Sequence, residues 1–131
     1  MYLLLAGTSD TARAMIVDCF LGEHPDWKHL ALEDINGESD PADVLGMQQT
    51  FMTMVACQCA EEARKEGAHV IITCPDLDMI NGVQSEIKDP IITVHIGMAK
   101  GAQDFDHVID AANKSVDDTC DMLSGIIKLT A

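Results

Sequence analysis

The stretch Tyr2-Leu3-Leu4-Leu5-Ala6-Gly7-Thr8-Ser9-Asp10-Thr11-Ala12-Arg13-Ala14 decides the fold of this 131-residue chain. Tyr2 to Ala6 is apolar without alternation, as in a strand covered on both faces of a parallel sheet. Gly7 and the Thr, Ser and Asp that follow turn the chain. Ala12, Met15, Ile16, Cys19 and Phe20 then recur at three- and four-residue steps, predicting a helix over Thr11 to Leu21 that Gly22 stops. A strand, a tight loop and a helix N-terminus in this order form a layout that holds phosphate groups, because the first turn of a helix presents N–H groups and a positive dipole end. Gly7, Thr8, Ser9, Asp10, Thr11, Ala12 and Arg13 are therefore the candidate cofactor-binding residues.

The rest of the chain alternates in the same way. Trp27 to Ile35 holds a second strand, Leu30-Ala31-Leu32, ending in the acidic cluster Glu33-Asp34. Ser39-Asp40-Pro41 gives a cap with Pro in the first helical turn, and a long helix is predicted from Ala42 to Glu66, with Arg64 and Lys65 in its last turn and Gly67 beyond. Further strands are expected at Ala68 to Cys74, Ile91 to Ile96 and Phe105 to Asp110, with a short helix over Met79 to Lys88. A last helix is capped by Asn113 or Ser115 and buries Val116, Cys120, Leu123 and Ile127. Strands alternating with helices predict an α/β fold, a doubly wound three-layer sandwich with a five-stranded, mostly parallel sheet. The length fits one domain over residues 1–131. Ligands of such sheets sit beyond the carboxyl ends of the strands, which gathers Gly7 to Arg13, Glu33, Asp34, Asp76, Asp78 and Gly97 around one crevice.

Charge narrows the partners. Twenty-two acidic groups against eight basic ones give a formal charge of −14, which opposes binding to nucleic acid or to an anionic membrane. Only Arg13 and Arg64 carry the planar guanidinium that clamps a phosphate in two places. No apolar run approaches the length of a membrane span and the N-terminus lacks the basic flank of a signal peptide, so a cytoplasmic protein is expected. The five cysteines, Cys19, Cys57, Cys59, Cys74 and Cys120, form no CxxC and no zinc-type spacing with the histidines, so they read as reduced thiols and the spacing indicates no metal site. The 42–66 helix has two apolar stripes, Val44, Met47, Phe51 and Met54 beside Leu45, Met52, Val55 and Cys59. It is either sandwiched between the sheet and another helix, or packs its methionine-rich half on a second copy in a homo-oligomer.

Two places resemble the P-loop kinases, the small nucleotide and metabolite kinases. Gly7 to Ala14 lies over the pattern G-x-x-x-x-G-K-[ST]. Phe105-Asp106-His107-Val108-Ile109-Asp110 with Lys114-Ser115-Val116-Asp117-Asp118 looks like the closing strand and helix of those enzymes. The resemblance implies a P-loop kinase-like fold, ATP and magnesium as cofactors, and a small-molecule ligand. Asp76 then stands where the family helps hold magnesium, and Asp34 where an acidic residue acts on the acceptor hydroxyl, so both are candidate catalytic residues. The departures have physical content. Ala12 replaces a Gly that lets phosphate approach, Arg13 replaces a Lys, and Ala14 removes the hydroxyl that binds magnesium. Asp10 brings negative charge into the loop, where it also suits a helix start. The segment between Ile96 and Asp106 is short for the family's arginine-bearing lid and holds one basic residue, Lys100. These features leave two further readings: a non-catalytic binding or assembly module of the same fold, and a Rossmann-type NAD(P)-dependent reductase, whose opening Leu3 to Asp10 followed by Ala-Arg-Ala also resembles.

Overall fold

In a computed structural model, which describes residues 1–32, 47–74, 78–97, 104–110 and 114–130, five strands and four helices alternate along the chain. They are β1 (Tyr2–Gly7), α1 (Asp10–Glu23), β2 (Trp27–Ala31), α2 (Met47–Lys65), β3 (His69–Cys74), α3 (Asp78–Glu86), β4 (Ile91–Ile96), β5 (His107–Ile109) and α4 (Val116–Thr130). The strand order is β2-β3-β1-β4-β5, and all four pairings are parallel. Thus β1 is central, with Leu4 in register with Ile72 of β3 on one side and Thr93 of β4 on the other. Both of its faces are covered, which is why Tyr2 to Ala6 tolerates no polar residue.

Direction fixes the layers. The connection from β1 runs towards the β2 edge, while those from β2 and β3 run back across the sheet, so right-handed crossovers must place α1 opposite α2 and α3. The core divides accordingly. Leu3, Leu5, Ile71, Val94 and Ile96 point to the face packed by Phe20 of α1 and Leu123 of α4, whereas Tyr2, Leu4, Val70 and Ile72 point to the face of Ala56 and Ala60 of α2 and Val83 of α3. Phe20 is anchored further by an edge-to-face contact with Trp27, ring centroids 5.2 Å apart.

Two helices turn differently from the predicted stripes. On α1 the buried residues are Arg13, Ile16, Val17 and Phe20, while Met15 is exposed, because the first inward position of the helix is taken by a charged side chain. On α2 the inward face is Thr53, Ala56, Cys57 and Ala60, small residues that let the helix lie close to the sheet; Met54, Val55 and Cys59 face outwards. The remaining stripe members, Val44, Leu45, Met47, Phe51 and Met52, lie outside the residues or side chains described, as do residues 42–46 of the expected helix start.

The strand β5 is shorter than Phe105 to Asp110. Asp106 replaces ladder pairing by a side-chain clasp with Thr93: the Thr93 N–H donates to Asp106 Oδ2 at 3.0 Å, and the Asp106 N–H donates to Thr93 Oγ1 at 2.9 Å. Ser115 caps α4, accepting from the Asp118 N–H at 3.1 Å while Asp118 accepts from the Ser115 N–H at 3.4 Å, a reciprocal capping pair. No helix among the described residues is long and apolar enough to cross a membrane.

Candidate functional site

The carboxyl end of β1 carries the loop singled out from the sequence, and its conformation is unusual. Gly7 has φ +92° and Thr8 φ +51°, two successive residues in the left-handed region. A β-branched residue rarely adopts that region and does so at a cost of order 1–3 kcal/mol, so the surroundings must hold Thr8 there. Arg13 supplies the restraint. Its guanidinium is turned into the protein, with the residue 2% exposed, and one nitrogen donates to Gly7 O at 3.0 Å and Thr8 O at 3.2 Å. The other terminal nitrogen pairs with the carboxylate of Asp10, which stands at the solvent side, 73% exposed.

This arrangement orients the peptide groups. The C=O and N–H of a trans peptide point in opposite directions, so with Thr8 O drawn towards the buried guanidinium the Ser9 N–H faces the other way. Ser9 is the N-cap of α1, its hydroxyl accepting from the Ala12 N–H at 3.2 Å, and Arg13 N–H closes the first helical bond to Ser9 O at 2.9 Å. Asp10 and Thr11 follow as the first helical residues, whose N–H groups have no intrahelical acceptor.

Each residue of the sequence pattern has a place here. Gly7 is required by the sheet: a Cβ on it would stand 2.2 Å from Ile96 O and 2.9 Å from His95 Cε1, and its φ suits only glycine. Ala12 and Arg13 lie inside α1 rather than in the loop, because the helix begins at Asp10. The exposed Ala14 offers no oxygen to a metal ion. Both arginines of the chain are bonded to backbone carbonyls, Arg13 as described and Arg64 to Ala68 O at 3.0 Å beyond the end of α2. The residues at this loop therefore do not fit the magnesium-bridged phosphate grip of a P-loop.

The neighbouring strand end contributes His95 and Gly97. His95 is 4% exposed, its Nδ1 donates to Gly97 O at 2.7 Å, and its ring stands edge-on to Phe105 at 5.0 Å. Gly97 has φ +94° and donates its N–H to Ile109 O at 2.7 Å, linking β4 to β5. The register Gly7 to Ile96 brings these two strand ends side by side. Of the other predicted site residues, Asp34 and Asp76, with Glu33 and Lys100, lie outside the described residues, and Asp78 opens α3.

One grouping was not legible from spacing. Cys19 and Glu23 on α1 meet Cys120 on α4, with a ligand atom of each within 4.8 Å of the others. Sequence separation hid it, since the pairing depends on the α1–α4 contact.

The fold has known counterparts. A protein designed de novo with a P-loop fold superposes with a TM-score of 0.60 at 11% identity, covering 98% of this chain and 91% of the designed one. A candidate kinase from Chloroflexus aurantiacus gives 0.63 at 6% identity, covering 99% and 97%. A hexameric APS kinase from Thiobacillus denitrificans gives 0.63 at 12% identity, covering 99% of this chain and 29% of its own. No protein-family model and no curated protein matches the sequence. The fold is thus the α/β architecture of the P-loop kinases. Its strand order differs from the 3-2-1-4-5-6 order of dinucleotide-binding domains, so the sheet does not favour the reductase reading.

Proposed function

We propose that the chain is a degenerate P-loop kinase-like protein that binds a small phosphate-bearing ligand, such as a nucleotide, at the carboxyl end of β1 without magnesium-dependent phosphoryl transfer. The observation that carries the reading is the Arg13 staple. By drawing Gly7 O and Thr8 O inwards it turns the Thr8 and Ser9 N–H groups outwards, beside the first-turn N–H groups of Asp10 and Thr11 at the positive end of α1. In this reading Gly7 to Arg13 are the binding residues, and Arg13 acts by shaping the loop rather than by touching the ligand.

The same geometry limits the chemistry. Without a hydroxyl at position 14 the loop lacks the metal-binding side chain of the P-loop pattern, and the Asp10 carboxylate weakens the attraction of a phosphate. Binding is therefore modest, and it strengthens when that charge is removed. Isothermal titration with ATP, in magnesium and in chelator, tests this. Heat of binding that does not depend on magnesium, and a several-fold tighter Kd in Asp10→Asn, are expected. No heat at millimolar ATP ends the proposal.

A further inference from the structure

We infer that Cys19, Glu23 and Cys120 form a zinc-type metal site that clips α1 to α4, independent of the loop at the other end of α1. Cys19 and Glu23 are four residues apart and so share one face of α1, while Cys120 reaches across from α4. The Cys120 thiol lies 3.5 Å from Glu23 Oε2. For a tetrahedral zinc ion with sulfur at about 2.3 Å and oxygen at about 2.1 Å, adjacent sulfur and oxygen ligands stand about 3.6 Å apart, so this pair needs almost no movement to ligate. Asp117, three residues before Cys120, accepts from the Cys19 thiol at 3.5 Å and is a further oxygen donor at the rim. Two thiolates with carboxylate oxygen favour zinc over magnesium or calcium, which take oxygen alone.

The surroundings suit a cation. Cys120 is fully buried, Cys19 half-buried and Glu23 exposed, so an ion has an entry path from the Glu23 side and a dry floor. Burial, followed by the neighbouring Cys19 and Glu23, pushes the Cys120 thiol well up, so without an ion this group keeps its proton. Binding a divalent zinc ion expels the thiol proton of each cysteine; two protons leave, two sulfur–zinc bonds form, and no electron is transferred. The ion replaces two weak thiol hydrogen bonds with coordinate bonds between helices.

The test uses the reduced full chain with zinc alone. Native mass spectrometry should show one zinc per chain, and calorimetry in two buffers of different ionisation enthalpy should give about two protons released per ion. Cobalt in place of zinc should produce a thiolate charge-transfer band in the near ultraviolet. Cys19→Ser and Glu23→Gln, both outside the closed core, should weaken zinc binding roughly tenfold or more and the former should remove most of that band, while Cys59→Ser leaves both unchanged. Absence of stoichiometric uptake overturns the site, and so does uptake that Cys19→Ser and Glu23→Gln leave intact. A reduced chain that ignores zinc but forms a Cys19–Cys120 disulfide on oxidation overturns it as well.

Discussion

Replacing Arg13 by Ala separates the two roles open to it. If the guanidinium shapes the loop, its removal leaves Gly7 O and Thr8 O without their charged donor, in a loop that is half-buried at Gly7 and exposed at Thr8. The half-buried Gly7 O costs about 1–3 kcal/mol when orphaned, whereas water can take the donor's place at the exposed Thr8. The Asp10 end adds little, under about 1 kcal/mol, because that carboxylate is largely exposed. The expected loss is about 2 kcal/mol, a fall in Tm of roughly 6–8 °C for a chain of this size. Urea unfolding followed by circular dichroism measures it, with Arg13→Lys intermediate because an ammonium can retain one of the two carbonyls. A loss below about 1 kcal/mol would refute the staple, since an arginine turned towards a ligand could be truncated with little effect on stability.

Other parts of the structure make comparable predictions. Gly7→Ala and Gly67→Ala both place Cβ at positive φ, yet only Gly7 faces backbone at 2.2 Å, so Gly67→Ala should cost about 1 kcal/mol and Gly7→Ala several times that in the same unfolding assay. Burial, the N-terminal ammonium 2.9 Å from Nδ1, and Arg64 lower the His69 pKa below its usual 6.5, so the unfolded chain takes up this proton first and the His69 contribution to stability is lost as pH falls below 6.5; the pH slope in His69→Gln should be shallower across that window. Burial, with Glu86 and Glu61 nearby, pushes the Cys57 thiol up to about 11, so iodoacetamide at pH 8 should label the exposed Cys59 and spare Cys57, as read by peptide mass spectrometry.

Most of the architecture follows from local pattern. The unbroken apolar run Tyr2 to Ala6 and the largely apolar runs Ala68 to Cys74 and Ile91 to Ile96 read as strands covered on both faces, and each holds one. Ser115 was one of two candidate caps, and it closes a reciprocal pair with Asp118. What spacing could not show is which way a side chain turns when polar and apolar groups compete for one position. Arg13 lies on the inward side of α1, where its guanidinium finds two carbonyls and its stem fills the core, so the apolar stripe shifts by one residue and Met15 is left outside. Likewise α2 presents Ala56 and Ala60 to the sheet while Met54 and Val55 face outwards, a choice made by how closely the helix can approach. The Cys19–Glu23–Cys120 grouping depends on contact between the first and last helices, which no local spacing encodes.

In the proposed function Ser9, Asp10 and Thr11 hold a phosphate through their N–H groups, with no part for magnesium. The most direct measurement is the backbone amide shifts of labelled protein on addition of ATP, in chelator and then with magnesium. Saturable shifts concentrated at Ser9, Asp10 and Thr11, unchanged by magnesium, are predicted. Shifts that spare those three amides at millimolar ATP, or that require magnesium, would contradict the account.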